Sequence, residues 1–492
     1  MPKAKTIAKL LSLAVAATAG ALAVQEAKRR RDADTGPISS SSRNARSAAM
    51  AGLGAKAGSR YALHRARKVF ASADRGVELD AAFELQTAES IADALGNMKG
   101  AMMKLGQMAS YLDQGLPEPV RQALAELQAN APPMSAELAA QVVREELGGA
   151  PEEVFATWDP KPIAAASIGQ VHRAMTHDGQ AVAVKVQYPG VGDAIRADLD
   201  NTGLLFGAMG MMLPGLEPEP LVAELRLRLL EELDYRQEAD NQRLFAAYYE
   251  GHPFIHIPAV VGELSAERVL TSELADGVRF EELEGWSQEE RDLAAESIFR
   301  FVFGSLYRLH AFNGDPHPGN YLFRPGGQVT FLDFGLVKRF GFEEVELIAG
   351  MLKAMVVDKD IQEYRRLIES IGMLTPGNGF SDEAVQDYFG HFYDFVQRDE
   401  ITTITSEYAS ETVRRFFDYA GPYAPIMKAA NVPPSFVIIQ RINLGLYAIF
   451  GQLHATANWR RISEEIWPFV DGSPSTDLGR RAAAWAAERG HG

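Results

Sequence analysis

The sequence predicts an α+β chain: a helical amino-terminal extension, then a β-rich lobe, then a larger helical lobe. Three observations carry that prediction. From about Glu84 to Leu127, Ile91, Leu95, Met98, Met102 and Leu105 recur at three- and four-residue steps, the period of a helix with one apolar face. Ala181 to Val186 alternates, with the valines on one face and Ala181, Ala183 and Lys185 on the other, the period of a strand. From about Ser287 onward the pattern is helical, apart from a hairpin-like passage around Tyr321–Phe334.

The other segments are read in chain order. Gly36-Pro37 and the Ser39–Ser42 run mark a linker, and Leu116-Pro117-Glu118-Pro119 interrupts the first helical pattern. A short helix comes after Ala131-Pro132-Pro133 and is closed by Gly148-Gly149. A long helix is expected over Leu221–Tyr249, a strand over Val269–Glu273, and a turn at Asp276-Gly277. These breaks divide the chain into a basic segment (1–75), a helical extension (76–150), a β-rich lobe (151–278), a helical lobe (279–472) and a tail (473–492).

The chain has 492 residues, room for two or three compact units, and its 47% hydrophobic and 23% charged content is that of a globular protein. It has no cysteine, which excludes disulfides, zinc–thiolate sites and Cys nucleophiles and fits a reducing compartment. A formal charge of −16 argues against nucleic acid as a partner. The charge is uneven: residues 1–70 hold fourteen Lys/Arg against three acids. A basic arm on an acidic body suggests peripheral contact with an anionic membrane surface, and a basic tail without a partner is the plainer alternative.

Leu10–Val24 is uncharged and Ala-rich, and short for a membrane span, which needs roughly 17–25 apolar residues. Lys28–Arg31 behind it favour retention on the cytoplasmic side, so the expectation is a weak anchor or interfacial helix on a cytoplasmic, inner-membrane-associated protein. A signal peptide ending at Ala21-Leu22-Ala23 and an organellar transit peptide are the other readings.

The chemistry concentrates in Gly314-Asp315-Pro316-His317-Pro318-Gly319-Asn320 and Phe331-Leu332-Asp333-Phe334-Gly335. Asp315 fits a catalytic-loop acid. Asn320 and Asp333 fit a pair of oxygen ligands for Mg²⁺, a hard cation that holds nucleotide phosphates in phosphoryl transfer. Upstream, Lys185 shares a strand face with Ala183, where a small residue leaves room for adenine and the lysine can reach phosphates. Taken singly, such a strand is a solvated face.

Ala164-Ala165-Ala166-Ser167-Ile168-Gly169-Gln170-Val171 has the spacing of a phosphate-covering loop, with Ala164 and Ala166 where its first two glycines would stand. Alanine in a left-handed conformation costs roughly 1–2 kcal/mol, so this loop is expected to be stiff. On the expected long helix, Glu232 and Glu238 would lie about 120° apart and serve different partners, with Asp234 on Glu238's stripe. Glu238 is placed to pair with Lys185. Singly, each of these acids reads as part of a solvated face. Lys104 in Lys104-Leu105-Gly106-Gln107 reads alone as an ordinary polar position, and His172 and His317 read as structural, His317 as a brace between prolines. Phosphate loop, strand lysine, helix glutamate, Asp–Asn pair and Asp-Phe-Gly nevertheless occur in the order that a two-lobed kinase-like domain requires.

With these motifs, the chain resembles the UbiB/AarF (ADCK-type) atypical kinase-like family, linked to coenzyme Q metabolism, over roughly residues 80–350. The marks are the Lys104–Gln107 motif, the Ala164–Ser167 loop, Glu232-Leu233-Asp234 and Asp315–Asn320; ordinary protein kinases lack the first three. The resemblance implies a protein-kinase-like fold whose helical extension caps the active site. It also implies ATP or ADP with Mg²⁺, and ATPase or unorthodox kinase activity in isoprenoid-lipid metabolism. Lys104 would enter the nucleotide site and meet Glu232 or Asp234, and the backbone at Glu273 would bond adenine at the hinge. Two features depart from the family: Asn313-Gly314 stand where it usually has His-Ala, and the apolar stretch Phe436–Phe450 is interrupted by Gln440, Arg441 and Asn443. No Ala-Pro-Glu or activation loop comes after Gly335, which argues against protein phosphorylation in trans. The competing readings are a nucleotide-gated lipid-binding regulator and a small-molecule phosphotransferase of the aminoglycoside or choline kinase type.

Overall fold

The computed structural model describes residues 135–166, 168–192, 232–314, 316–416, 421–431 and 433–490. The basic segment, the Glu84–Leu127 helix with Lys104, Ser167 and Asp315 lie outside the described residues, as do residues 193–231. The chain divides into two compact units, one of residues 1–143, 161–171 and 186–233, the other of 144–160, 172–185 and 234–492.

In the first unit, helix α1 (Ala136–Leu147) buries Ala139, Val142 and Val143 at three- and four-residue steps. Strand β2 (Ala164–Ala165) pairs antiparallel with the start of β3 (Gly169–Met175), matching Ala164 to Val171 and Ala165 to Gln170. The connection is tight, with the Ala166 N–H donating to the Gly169 carbonyl at 2.8 Å. Among the described residues only His310, Lys359 and His454 are non-glycine positions with positive φ. Ala164, Ala165 and Ala166 are therefore unstrained, and the left-handed alanines expected from the sequence are not there. A strand pairing supplies their geometry instead.

In the second unit a sheet runs in the order β1 (Thr157–Trp158), β3, β4 (Ala181–Gln187) and β6 (Val269–Glu273). Both long strand expectations hold, because Val182 and Val184 are fully buried while Lys185 points to the other, half-open face. His172 is structural as expected: it is buried, stacks on Trp158 at 4.5 Å, and its Nδ1 meets the Asp159 carbonyl at 2.8 Å.

Helix α2 spans Tyr235–Tyr248, so the helix expected over Leu221–Tyr249 is interrupted at residues 232–234, and its part at 221–231 lies outside the described residues. Glu232 and Leu233 lie in a turn, and Asp234 is the N-cap, its carboxylate accepting the Arg236 N–H at 3.0 Å. A short acidic side chain at this place bonds the free amides of a first turn rather than continuing a helix. The expected helical stripes for Glu232 and Asp234 are thereby overturned. The Asp276-Gly277 turn is also absent. Gly277 has φ +153° and lies so close to the 321–324 strand that a Cβ there would come within 2.9 Å of Leu322 Cβ.

The core of this unit is built around helix α3 (Gln288–Leu309), capped by Ser287 and ended by left-handed His310. Strands β5 (Ile255–His256), β9 (Gln328–Phe331) and β8 (Tyr321–Arg324) form a small sheet, and β7 (Ala311–Asn313) pairs with β10 (Val337–Arg339). Helix α4 (Phe342–Leu352) and the long Pro434–Leu453 helix complete the helical part that the sequence anticipates. No helix among the described residues is long and apolar enough to cross a membrane.

The segment read as a tail contains a helix, Asp477–Arg489. Its docking is electrostatic as well as apolar. Arg300 donates to Glu296 at 2.7 Å and to Glu465 at 2.8 Å, all three side chains being nearly buried. Thr476 donates to Glu296, and Ser475 to Glu465, so the carboxylates are satisfied within one network. Trp485 packs edge-on to His252 at 4.5 Å.

His252 Nδ1 accepts the Ile255 N–H at 3.0 Å. Burial, with Arg300 and Arg481 nearby, lowers its pKa to about 3. Unfolding restores an ordinary imidazole near 6.5, so between these values the unfolded chain binds the extra proton. The stabilisation is complete above about pH 6.5 and is lost as pH falls towards 3. His252→Asn, which keeps an acceptor but cannot charge, is expected to flatten the acid limb of a melting temperature against pH profile. Parallel limbs in parent and variant would contradict this.

Candidate functional site

Two antiparallel ladders hold the motif segments opposite each other. On one side the β7–β10 pair matches Asn313 to Val337, and the Gly314 N–H donates to the Leu336 carbonyl at 2.7 Å. On the other, β8 and β9 match Tyr321 to Phe331, and the Leu332 N–H donates to the Asn320 carbonyl at 2.9 Å. The stretch from 314 to 320 is thus clamped at both ends against the residues flanking Asp333-Phe334-Gly335. His317 braces it, its Nδ1 accepting the Gly319 N–H at 3.1 Å. Gly445 of the Pro434–Leu453 helix backs it, and a Cβ there would lie 2.5 Å from Pro316 Cγ and 3.1 Å from the Pro316 carbonyl oxygen.

Lys185 sits at the centre. Its ammonium donates to both Glu238 oxygens at 2.8 and 2.9 Å and lies 3.6 Å from Asp333 Oδ2. The Tyr235 ring lies below it, 5.1 Å to the centroid. Burial alone would lower the lysine pKa, but Asp333 and Glu238 outweigh it and hold the ammonium well above its usual value. Lys185 is therefore a fixed positive charge near neutral pH, not a proton acceptor. Glu238 is only 3% exposed, so the pair is a nearly desolvated one. Removing one member of such a pair typically costs roughly 3–5 kcal/mol.

Asp333 is oriented by its own chain, Oδ1 accepting the Gly335 N–H at 2.9 Å. Gly335 is closely packed: a Cβ would meet Asp333 Oδ1 at 3.3 Å and Glu238 Oε2 at 3.4 Å. Phe334 is fully buried, 5.1 Å from the Phe245 ring of α2, which in turn packs on Phe301 of α3. Helix α2 therefore meets the Asp-Phe-Gly segment through both its carboxylate and its apolar face.

The structure brings together Lys185, Glu238 and Asp333, and places Asn320 on the strand-paired segment beside Leu332. Asp315, Lys104 and Ser167 lie outside the described residues. Ala164, Ala165, Ala166, Gly169 and Val171 form the β2–β3 connection of the first unit. Ala183 lies on the half-open face of β4 with Lys185. Glu273 ends β6, where its N–H donates to the Ala259 carbonyl at 2.8 Å and its carboxylate accepts the Ala259 N–H at 3.3 Å. That side chain also meets His256 at 3.3 Å, so it braces the neighbouring segment. Asp234 is occupied by Arg236, whose bidentate contact at 2.9 and 3.0 Å holds its carboxyl below the usual range.

Among the described residues no group of three or more His, Asp or Glu side chains is arranged as a metal cage. The donor set on these segments, one carboxylate and one carboxamide, nonetheless suits a hard cation that keeps waters and phosphate oxygens as its other ligands. Sequence reading missed Asn241, Asn313 and Gly445 as supports of this site. Asn241, three positions after Glu238 on the same helical stripe, was the one with a detectable signal.

Comparison with known proteins identifies the family. The ABC1 atypical kinase-like domain matches residues 126–368. The rat protein "Atypical kinase COQ8B, mitochondrial" is 36% identical over 303 residues, covering 61% of this chain and 56% of that protein. The Saccharomyces cerevisiae protein "Atypical kinase COQ8, mitochondrial" is 30% identical, covering 61% of this chain and 59% of that one. The chain thus spans less than two thirds of these relatives' length. The solved structure of Rv3197 with erythromycin, from Mycobacterium tuberculosis, is 31% identical, covers 80% of this chain and 98% of that one, and superposes with a TM-score of 0.58. A mixed α+β chain with a strand lysine, a helix glutamate and an Asp-Phe-Gly aspartate gathered in this way belongs to the ABC1/UbiB atypical kinase family.

Proposed function

We propose that the chain is a Mg-ATP-dependent atypical kinase or ATPase acting on a small isoprenoid-lipid-related molecule, not on proteins in trans. The observation that carries the reading is Lys185, bonded to both Glu238 oxygens and 3.6 Å from Asp333. A permanently charged lysine held by a buried carboxylate is equipped to contact phosphate oxygens. Asn320 and Asp333 would hold Mg²⁺, which when bound neutralises phosphate charge. Asp315 would take the proton of the attacking hydroxyl or water as its oxygen bonds the γ-phosphorus and the bond to the β,γ-bridging oxygen breaks. The Ala164–Val171 loop would cover the phosphates, Ala183 would sit against adenine, and the backbone at Glu273 would bond it. The extension carrying Lys104 would cap the site and meet Glu232 or Asp234.

The preference for a small acceptor rests on the short path of the chain after Gly335. It enters β10 at Val337 and reaches the N-cap of α4 at Gly341, leaving no long segment for docking a protein substrate. A quinone-related substrate is consistent with the family and with the basic amino-terminal arm, which would bring the enzyme to an anionic membrane.

Asp333→Asn is expected to abolish Mg²⁺-dependent ATP turnover, by about a hundredfold or more in single-turnover assays; unchanged hydrolysis would overturn the assignment. The same assay with and without isoprenoid-quinone-like lipids in vesicles should show stimulation by lipid, and indifference would argue against the substrate class. Ala166→Gly is expected to change the ratio of ATP to ADP affinity through loop flexibility, and identical ratios would count against a phosphate-covering role. Gly445→Ala, which presses on Pro316, should lower turnover by about tenfold or more with nucleotide affinity little changed. Full activity would show that the loop is positioned without that contact.

A further inference from the structure

The Asp333-Phe334-Gly335 segment is held from two sides by carboxamides. Asn313, at the end of β7 and 7% exposed, donates its Nδ2 hydrogen to the Asp333 carbonyl at 2.9 Å. Asn241, one turn beyond Glu238 on α2, donates to the next carbonyl, that of Phe334, at 3.2 Å. Asn241 is itself aimed by Arg339 of β10, whose guanidinium donates to Asn241 Oδ1 at 3.1 Å. The Asp333 carbonyl belongs to the peptide plane that leaves Asp333, and the Phe334 carbonyl belongs to the plane that carries the Gly335 N–H, so the two bonds fix the backbone on the carboxyl side of Asp333 and the donor that its side chain meets. Asp333 Oδ1 is then turned onto the Gly335 N–H, leaving Oδ2 towards Lys185.

We propose that Asn241 and Asn313 are positioning residues, a two-amide clamp that holds Asp333 in its cation-binding orientation without help from a phosphorylated segment. The proposal rests on Asp333 being a Mg²⁺ ligand and adds two residues that nothing in its motif identifies. It also accounts for a departure of this chain. Asn313 stands where the family usually has histidine, and a carboxamide donates a hydrogen bond at every pH, whereas an imidazole does so according to its tautomer and charge. Because Glu238 and Asn241 share one face of α2, a shift of that helix releases the lysine and the Asp-Phe-Gly segment together. The helix position and the metal site are thereby one variable.

The test is nucleotide binding by calorimetry to the full chain, with Mg²⁺ and with chelator, so that the readout is not activity. The parent should bind ATP more tightly with Mg²⁺. In Asn241→Leu and Asn313→Leu that enhancement should fall about tenfold, the loss of about 1.4 kcal/mol, while chelator-condition affinity changes by about twofold or less. Asn313→His, which can still donate, should retain most of it. Arg339 is exposed, so Arg339→Met tests the clamp without disturbing the core, with an expected loss of about threefold. Amide hydrogen exchange across residues 333–336 should accelerate in the same variants. An undiminished Mg²⁺ enhancement in Arg339→Met and in whichever leucine variants fold would overturn the clamp. A parent that shows no Mg²⁺ enhancement would overturn the functional reading beneath it, and the clamp with it.

Discussion

One ammonium group held between two carboxylates organises the rest of this molecule. Lys185 brings β4 and α2 together through Glu238 and faces the Asp-Phe-Gly segment through Asp333. A buried pair of this kind is costly to desolvate, so it contributes little as a source of stability alone. It is better understood as a poised site, in which a phosphate-bearing ligand would share the lysine with its resident partners. The raised lysine pKa belongs to the same logic, since the charge must persist before and after any ligand arrives.

Apolar packing fixes what electrostatics alone would leave loose. Phe334 packs on Phe245 of α2, which packs on Phe301 of α3, and the Phe301–Phe331 ring stack at 3.7 Å ties α3 to β9. Ladders flank the Asp315–Asn320 motif on both sides. Gly445 and Gly277 sit at close approaches where a Cβ would collide with a proline ring and a strand, Gly277 also having a φ of +153° that favours glycine, and at Gly335 a Cβ would press on the Asp333 carboxylate. Small residues at such contacts let backbone elements reach the distances that the site needs.

Much of this was legible in the sequence, for identifiable reasons. The strands at 181–187 and 269–273 announce themselves through alternation and β-branched residues, and the Lys185–Glu238 pairing comes from their order in the chain. The start of α2 did not, because Glu231-Glu232-Leu233 continue a helical composition and only the Asp234 side chain, by capping, breaks it. The alanine loop differs from expectation because the spacing of a glycine motif does not impose glycine conformations: strand pairing with Val171 gives ordinary ones. The carboxamides of Asn241 and Asn313 act through tertiary proximity to two carbonyls; local pattern gives only that Asn241 shares the helical stripe of Glu238. The helix at 477–489 was hidden because its docking depends on Arg300, far away in sequence.

Lys185, oriented by Glu238, is the proposed phosphate contact of a nucleotide site. Equilibrium binding of ATP to Lys185→Met, compared with the parent at matched Mg²⁺, addresses it most directly. The account predicts at least about a tenfold weaker affinity for ATP with adenosine binding nearly unchanged, since only phosphates meet the lysine. Equal ATP affinity in the two folded proteins would contradict it.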